Sequence, residues 1–221
     1  MKSICSLITL VFFVLTGFSQ TFEGKIVYKI NIKGDFSPQE KMMLPSEAVV
    51  YSKGEKARME MSMGFGMNTT TISNSKSGYS VSLMNILGSK YAIESSEKDN
   101  SKESEDLVKN TKIEVTNETK TIAGYNCKKA IIYINDPKSK EVTQLEVWFT
   151  KEIDINNDYV KGPFEKIEGA MLEFSLVQQG LNMNFQASLV SKESVDNKLF
   201  EVPEGYKKMT QQEMMKMMGG K

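Results

Sequence analysis

Between Lys25 and Ile32 the chain alternates one for one, with Ile26, Tyr28, Ile30 and Ile32 set against Lys25, Val27, Lys29 and Asn31. A period of two sends these sets to opposite faces of a β-strand, so the segment reads as a strand buried on one side. The pattern recurs along the sequence. Ala48 to Tyr51, a turn at Lys53-Gly54, and Ala57 to Met63 form a hairpin, with Ala57, Met59, Met61 and Met63 on one face and Lys56, Arg58, Glu60 and Ser62 on the other. Thr69 to Ser73 and Tyr79 to Leu83 flank the turn residues Asn74 to Gly78, and Tyr91 and Ile93 mark a further strand. In the second half Lys112 to Thr116, Ala130 to Ile134 and Val142 to Phe149 continue the pattern. A last hairpin sets Leu172, Phe174 and Leu176 against Met183, Phe185, Ala187 and Leu189. The total is about nine or ten strands. Their connections are mostly too short for parallel crossovers, which predicts a mainly β protein built on an antiparallel sheet, curled or half closed, with few helices. One short helix is expected after the capping box Ser37-Pro38-Gln39-Glu40. The polar, charged stretch 95–110 and the segment Thr150 to Gly169 read as loops within a single domain.

The first twenty residues read differently. Lys2 precedes an apolar run from Ile4 to Leu15, and Gly17-Phe18-Ser19 offers a small-x-small cleavage site. The run is shorter than the roughly 20 residues a membrane-spanning helix needs, and no second such run follows. A signal peptide over residues 1–20 is expected, cleaved near residue 20, releasing a periplasmic or secreted chain with no transmembrane segment. Cys5 lies at the start of the run rather than just after it, which excludes a lipoprotein signal. Cys127 is then the one cysteine left after processing and reads as a buried thiol in a strand.

Composition narrows the chemistry. The formal net charge is +0 and Arg58 is the only arginine, which excludes the clustered cations that nucleic-acid phosphates require. The sequence has no histidine, so histidine-based triads, the usual general base and the common zinc sites are absent. No nucleophile elbow, P-loop or dinucleotide fingerprint is found, and most carboxylates occupy polar strand positions or the charged loop. The chain reads as a non-enzyme that needs no cofactor.

Several segments resemble a known group of proteins. Ile122-Ala123-Gly124-Tyr125-Asn126-Cys127-Lys128-Lys129-Ala130, the tryptophan strand ending Val147-Trp148-Phe149-Thr150, and the closing Phe200-Glu201-Val202-Pro203-Glu204-Gly205-Tyr206-Lys207 are similar to exported bacterial proteins of the GLPGLI group and a related domain-of-unknown-function family. Gly162-Pro163-Phe164 with Gly169 to Glu173 resembles the region that names the group, although the hexapeptide itself is missing. Lys76 to Tyr79 and Lys90-Tyr91 fit the domain-of-unknown-function pattern better. The resemblance implies a LolA-like half-barrel, a curved antiparallel sheet with short helices over its concave face and a cavity able to hold acyl chains. It transfers no catalytic residue. On this reading residues 21–208 are a single LolA-like β domain, and 209–221 are a Met-rich tail.

The 15 methionines are the compositional oddity. They admit core packing, a pliable apolar binding surface, or Cu(I) coordination by thioethers. Met59, Met61 and Met63 are spaced some 7 Å apart along a strand, which suits one ion poorly. Met214, Met217 and Met218 would share a helical face after the capping box Thr210 to Glu213. The expected ligand-binding set is Met59, Met61, Met63, Phe65, Tyr79, Leu83, Trp148, Phe174, Met183 and Phe185, facing a lipid or a lipoprotein acyl chain. The alternatives are a structural module that binds other envelope proteins, and a copper-binding protein. Export is directly testable. N-terminal sequencing of the protein recovered from the soluble envelope fraction should begin at Gln20 or Thr21, and an intact Met1 would exclude processing.

Overall fold

The computed structural model describes residues 21–86, 88–95, 108–135, 142–155, 157, 159–160, 162–178 and 181–217. The expected signal peptide and nearly all of the charged loop lie outside these residues. The described strands form one twelve-stranded sheet: β1 Glu23–Lys33, β2 Glu47–Lys53, β3 Lys56–Ser62, β4 Asn68–Asn74, β5 Tyr79–Ile86, β6 Ser89–Ser95, β7 Thr111–Ile122, β8 Tyr125–Asn135, β9 Val142–Thr150, β10 Ala170–Gln178, β11 Leu181–Lys192 and β12 Lys207–Met209. The sheet is curved and open, with β12 and β7 at its two edges.

Its order, β12-β6-β5-β4-β3-β2-β1-β11-β10-β9-β8-β7, resolves into two antiparallel meanders. The first runs from β1 to β6 and the second from β7 to β11, and they meet where β1 pairs with β11. Only β12, beside β6, is parallel to its neighbour. The residues between Ser95 and Thr111 join strands near opposite edges, ten strand intervals apart in this order. At about 4.8 Å per interval, a flat sheet would stretch them almost to their limit of roughly 3.3–3.6 Å per residue. Curling the sheet relieves that constraint.

Local sequence accounts for the turns. Ser37 caps helix α1 (Pro38–Lys41), and Glu40 returns the bond to the Ser37 backbone. Ala123 (φ 49°) and Gly124 (φ 87°) turn β7 into β8, the left-handed pair that a tight two-residue hairpin requires. Among the described residues there are twelve strands rather than nine or ten, and the smallest could not be read from pattern. β12 has three residues, too few to show alternation, and exists because β6 offers an open edge.

The main core lies on the face that carries Ile26, Tyr28, Phe174 and Phe185, here called the inner face. The segment after β9, expected as a loop, is a buried cap. Ile153, Ile155, Tyr159, Val160, Phe164 and Ile167 are each at most 5 % exposed. Phe164, in the 3-10 turn Pro163–Lys166, lies 5.9 Å from the Phe174 ring, which itself stacks on Phe185 at 5.0 Å. Asn157 pins the cap by donating from Nδ2 to the Ile167 and Gly169 carbonyls, and it accepts from the Tyr159 hydroxyl at 3.3 Å. Gly169, at φ +94°, lies so close to the Thr150 carbonyl that any side chain would collide with it. Tyr28 reaches from the meander seam to donate to the Met171 carbonyl at 2.8 Å.

A second cluster occupies the outer face. Ile72, Val81, Leu83 and Ala92 are covered by Phe200, Val202 and Tyr206. Arg58 holds that cover by donating to the Leu199 carbonyl at 2.8 Å while pairing with Glu60. Inner cap and outer cover thus protect different parts of the sheet.

The buried phenols make stability pH-dependent. Burial pushes Tyr159 from 10 up to about 12, and raises Tyr28 well above its ordinary value. Their contribution is complete below the unfolded value near 10 and is lost as pH rises through the folded values. Denaturant unfolding at increasing alkaline pH should therefore show a fall in stability between about pH 10 and 12. Tyr159→Phe should make the fall shallower, and an identical slope would exclude Tyr159 as a source.

Candidate functional site

Strand pairing assigns every side chain of the first meander to a face, because alternation in one strand is locked in register with the next. Ile26 lies opposite Val50, Val50 opposite Met59, Met59 opposite Thr71, Thr71 opposite Ser82, and Ser82 opposite Ile93. A parallel row runs Tyr28, Ala48, Met61, Thr69, Met84, Tyr91. A third runs Gly24, Ser52, Ala57, Ser73, Ser80. All three rows lie on the inner face. The intervening rows, on the outer face, hold Lys25, Lys29, Glu47, Lys53, Lys56, Arg58, Glu60, Lys90 and Glu94. Among the described residues, no charged side chain stands on the inner face of strands β1 to β6.

The inner face is not uniformly covered. Next to the cap, Ile26, Tyr28, Val50 and Met59 are buried. Toward β6 the same face opens: Met61, Thr69, Thr71, Met84, Tyr91 and Ile93 are only half-buried, and Ser82 is exposed. This half-covered, uncharged surface is the candidate site. Outward-facing ion pairs such as Lys29 with Glu47 (2.8 Å) and Lys25 with Glu193 (3.1 Å) keep the opposite face in water.

Met59, Met61, Phe174, Met183 and Phe185 from the expected set do share the inner face. Only Met59 and Met61 belong to the first meander. Phe174 and Phe185 are fully buried beneath the cap, and Met183 is 3 % exposed. Met63 follows β3 and donates its backbone N–H to the Met67 carbonyl. Phe65 falls in the 3-10 turn Gly64–Gly66, and its side chain lies outside what the structure describes. Tyr79, Leu83 and Trp148 are on the outer face and cannot line the same surface. Tyr79 bonds Glu94, Leu83 lies under the outer cover, and Trp148 carries Lys120 Nζ at 4.1 Å from its ring.

Thr71, Ser82, Met84, Tyr91 and Ile93 are not in the expected ligand-binding set. Their strands are recognisable, but only the pairing register shows that they extend the Met59–Met61 surface. In helix α2 (Gln211–Met217), Thr210 and Glu213 form the expected reciprocal cap. Met214 is buried and Met217, one turn further along the same helix, is exposed, while Met218 lies outside the described residues. Among the described residues no helix is long and apolar enough to cross a membrane, and no group of three or more His, Cys, Asp or Glu could hold a metal ion.

The molecule is thus an open, mainly antiparallel half-barrel whose inner surface on strands β1 to β6 is uncharged among the described residues and segregated by register from a charged exterior. It belongs to the family described as a domain of unknown function (DUF4412), which matches residues 22–162. The match spans β1 to β9 and most of the cap. No curated protein matches significantly. Among solved structures, the chain is similar to Mycobacterium tuberculosis lipoprotein LppX. The TM-score is 0.41 at 11% identity, over 79% of this chain and 89% of that one.

The segments that carried the sequence resemblance have architectural roles. Ile122 to Tyr125 makes the β7–β8 turn, and Phe200 to Tyr206 supplies the outer cover. Cys127 is fully buried in β8, and burial pushes its thiol up to about 11. A protonated, inaccessible thiol reacts slowly. Treatment with a thiol-specific disulfide reagent at neutral pH should modify Cys127 only at the rate of unfolding. Rapid labelling of the native protein would contradict the burial.

Proposed function

We propose that the chain is an exported, non-catalytic envelope protein that holds a lipid or acyl chain against the inner face of β1 to β6. The observation that carries this reading is the uncharged, half-covered surface formed by Met61, Met84, Tyr91 and Ile93 beside the buried Met59. Burying apolar surface contributes about 25 cal/mol per Å2, and an acyl chain offers surface that water does not compete for. Methionine suits such a wall because its unbranched, polarisable side chain adapts to chains of different shape. The signal-like residues 1–20 and the resemblance to GLPGLI-type and LolA-like exported proteins support the envelope location and the acyl ligand. No cofactor is required for this role.

Native mass spectrometry of protein purified gently from its own envelope fraction should show a co-purifying lipid. Met61 supplies the mutational test, since it is half-buried between Ala48 and Thr69 at the border of the covered region. Met61→Trp should fill the surface without adding charge, weakening a fluorescent fatty-acid probe by about tenfold, or roughly 1.4 kcal/mol, while thermal unfolding moves little. Equal probe binding by both proteins, or none by the wild type, would instead favour a structural module that binds other envelope proteins.

A further inference from the structure

The inner face changes character across the first meander. Near the cap it presents Ile26, Val50 and Met59. From β4 outward it presents hydroxyls, with Thr69, Thr71 and Ser73 on β4 and Ser80 and Ser82 on β5. Ser52 joins them across Ala57, opposite Ser73 in the same row. The Ser52 and Ser73 hydroxyls are buried, at 1 % and 3 % exposure, and neither has a hydrogen-bond partner. An unpartnered buried hydroxyl is a net cost to the fold, which alanine at either position would avoid. The two flank the methyl-sized side chain of Ala57, a gap that places them about 10 Å apart across two strand intervals. Thr71 and Ser82 lie one row away on the solvent-accessible part of the face. The hydroxyls therefore run from open surface toward the covered apolar region.

The charges sit elsewhere. Lys53 is turned outward to Glu23 and the Val195 carbonyl, Lys56 lies over the Phe200 ring, and Arg58 is engaged by Glu60 and Leu199. No described cation on the inner face of β1 to β6 could neutralise a phosphate or carboxylate, and an unpaired anion set against this surface would lose hydration without compensation. Ester carbonyls and hydroxyls, by contrast, are matched by serine and threonine, which both donate and accept.

We infer that the ligand of this face is an uncharged amphiphile of the acylglycerol type. Its chains lie along the half-buried Met61, Met84 and Tyr91, and its ester and hydroxyl head meets Thr71 and Ser82 and reaches along the face toward Ser73 and Ser52. The inference rests on the lipid-holding reading above and specifies the ligand class. Binding would give the two orphaned hydroxyls the partners the chain itself does not provide.

The test compares a monoacylglycerol, the free fatty acid and the phosphatidylglycerol of one acyl length, each displacing a fluorescent apolar probe from the full chain. The monoacylglycerol should displace it at a concentration about tenfold or more below the two anionic lipids. The Ser52→Ala/Ser73→Ala variant should keep or raise its melting temperature, because it removes unsatisfied groups, yet lose about 3- to 10-fold in monoacylglycerol affinity. Thr71→Lys, at a half-buried position, should reverse the preference toward the anionic lipids. Equal or tighter displacement by an anionic lipid in the wild type, or unchanged monoacylglycerol affinity in the double-alanine variant, would overturn the head-group assignment while leaving the lipid-holding reading intact. Failure of the wild type to bind the apolar probe at all would overturn both.

Discussion

The register between β1 and β11 joins two meanders that hairpins alone would leave as separate sheets. β1 begins the described chain and β11 ends its run of long strands, so their pairing closes the largest loop in the molecule. Loop closure on this scale is entropically unfavourable and must be offset by what the seam buries. Tyr28 lies at that seam, within 6.3 Å of the Phe185 ring and 5.7 Å of Phe174, and its hydroxyl bonds the Met171 carbonyl. One side chain thus joins the first meander, the second meander and the start of the capped region. The bulge in the β1–β11 ladder falls beside Tyr28, between Val27 and Tyr28. Bulges bend and twist a strand pair, which suits a sheet that must curl.

Covering this sheet is a problem of two faces. The inner face beneath β10 and β11 is closed by an irregular segment whose backbone polar groups need partners away from water. Asn157 supplies them, and this is why a polar residue only 4 % exposed sits among isoleucines and aromatics. The outer face of β3 to β6 is closed by the chain after β11, anchored through Arg58. Part of the inner surface of β4 to β6, at Thr71, Ser82, Met84, Tyr91 and Ile93, stays half-buried or exposed. Among the described residues, no charged side chain stands on that surface.

The segments most recognisable in the sequence are not the residues of the candidate site. The β7–β8 turn, the Trp148 strand and the closing Phe200 to Tyr206 stretch maintain the architecture through an αL turn, a cation–π contact and the outer cover. Such roles depend on special backbone conformations and fixed contacts, which few residue types satisfy. The candidate surface is assembled from apolar and hydroxyl residues that many sequences could supply, so it leaves no motif.

Alternation and turn chemistry in the sequence were enough to determine strands, their one-sided burial, their antiparallel connection, and the capped helix starts at Ser37 and Thr210. The lack of histidine and of clustered arginine likewise constrains the chemistry. Tertiary structure decided what alternation cannot express. The pairing register placed Tyr79 and Leu83 on the outer face while carrying the Met59 and Met61 surface onto Thr71, Ser82 and Met84. The segment after β9 became a cap because its apolar side chains, lacking any regular period, found the exposed aromatic face of β10 and β11. A period of two says which residues of one strand share a face. Only pairing between strands, set by the whole sheet's burial, says which faces are joined.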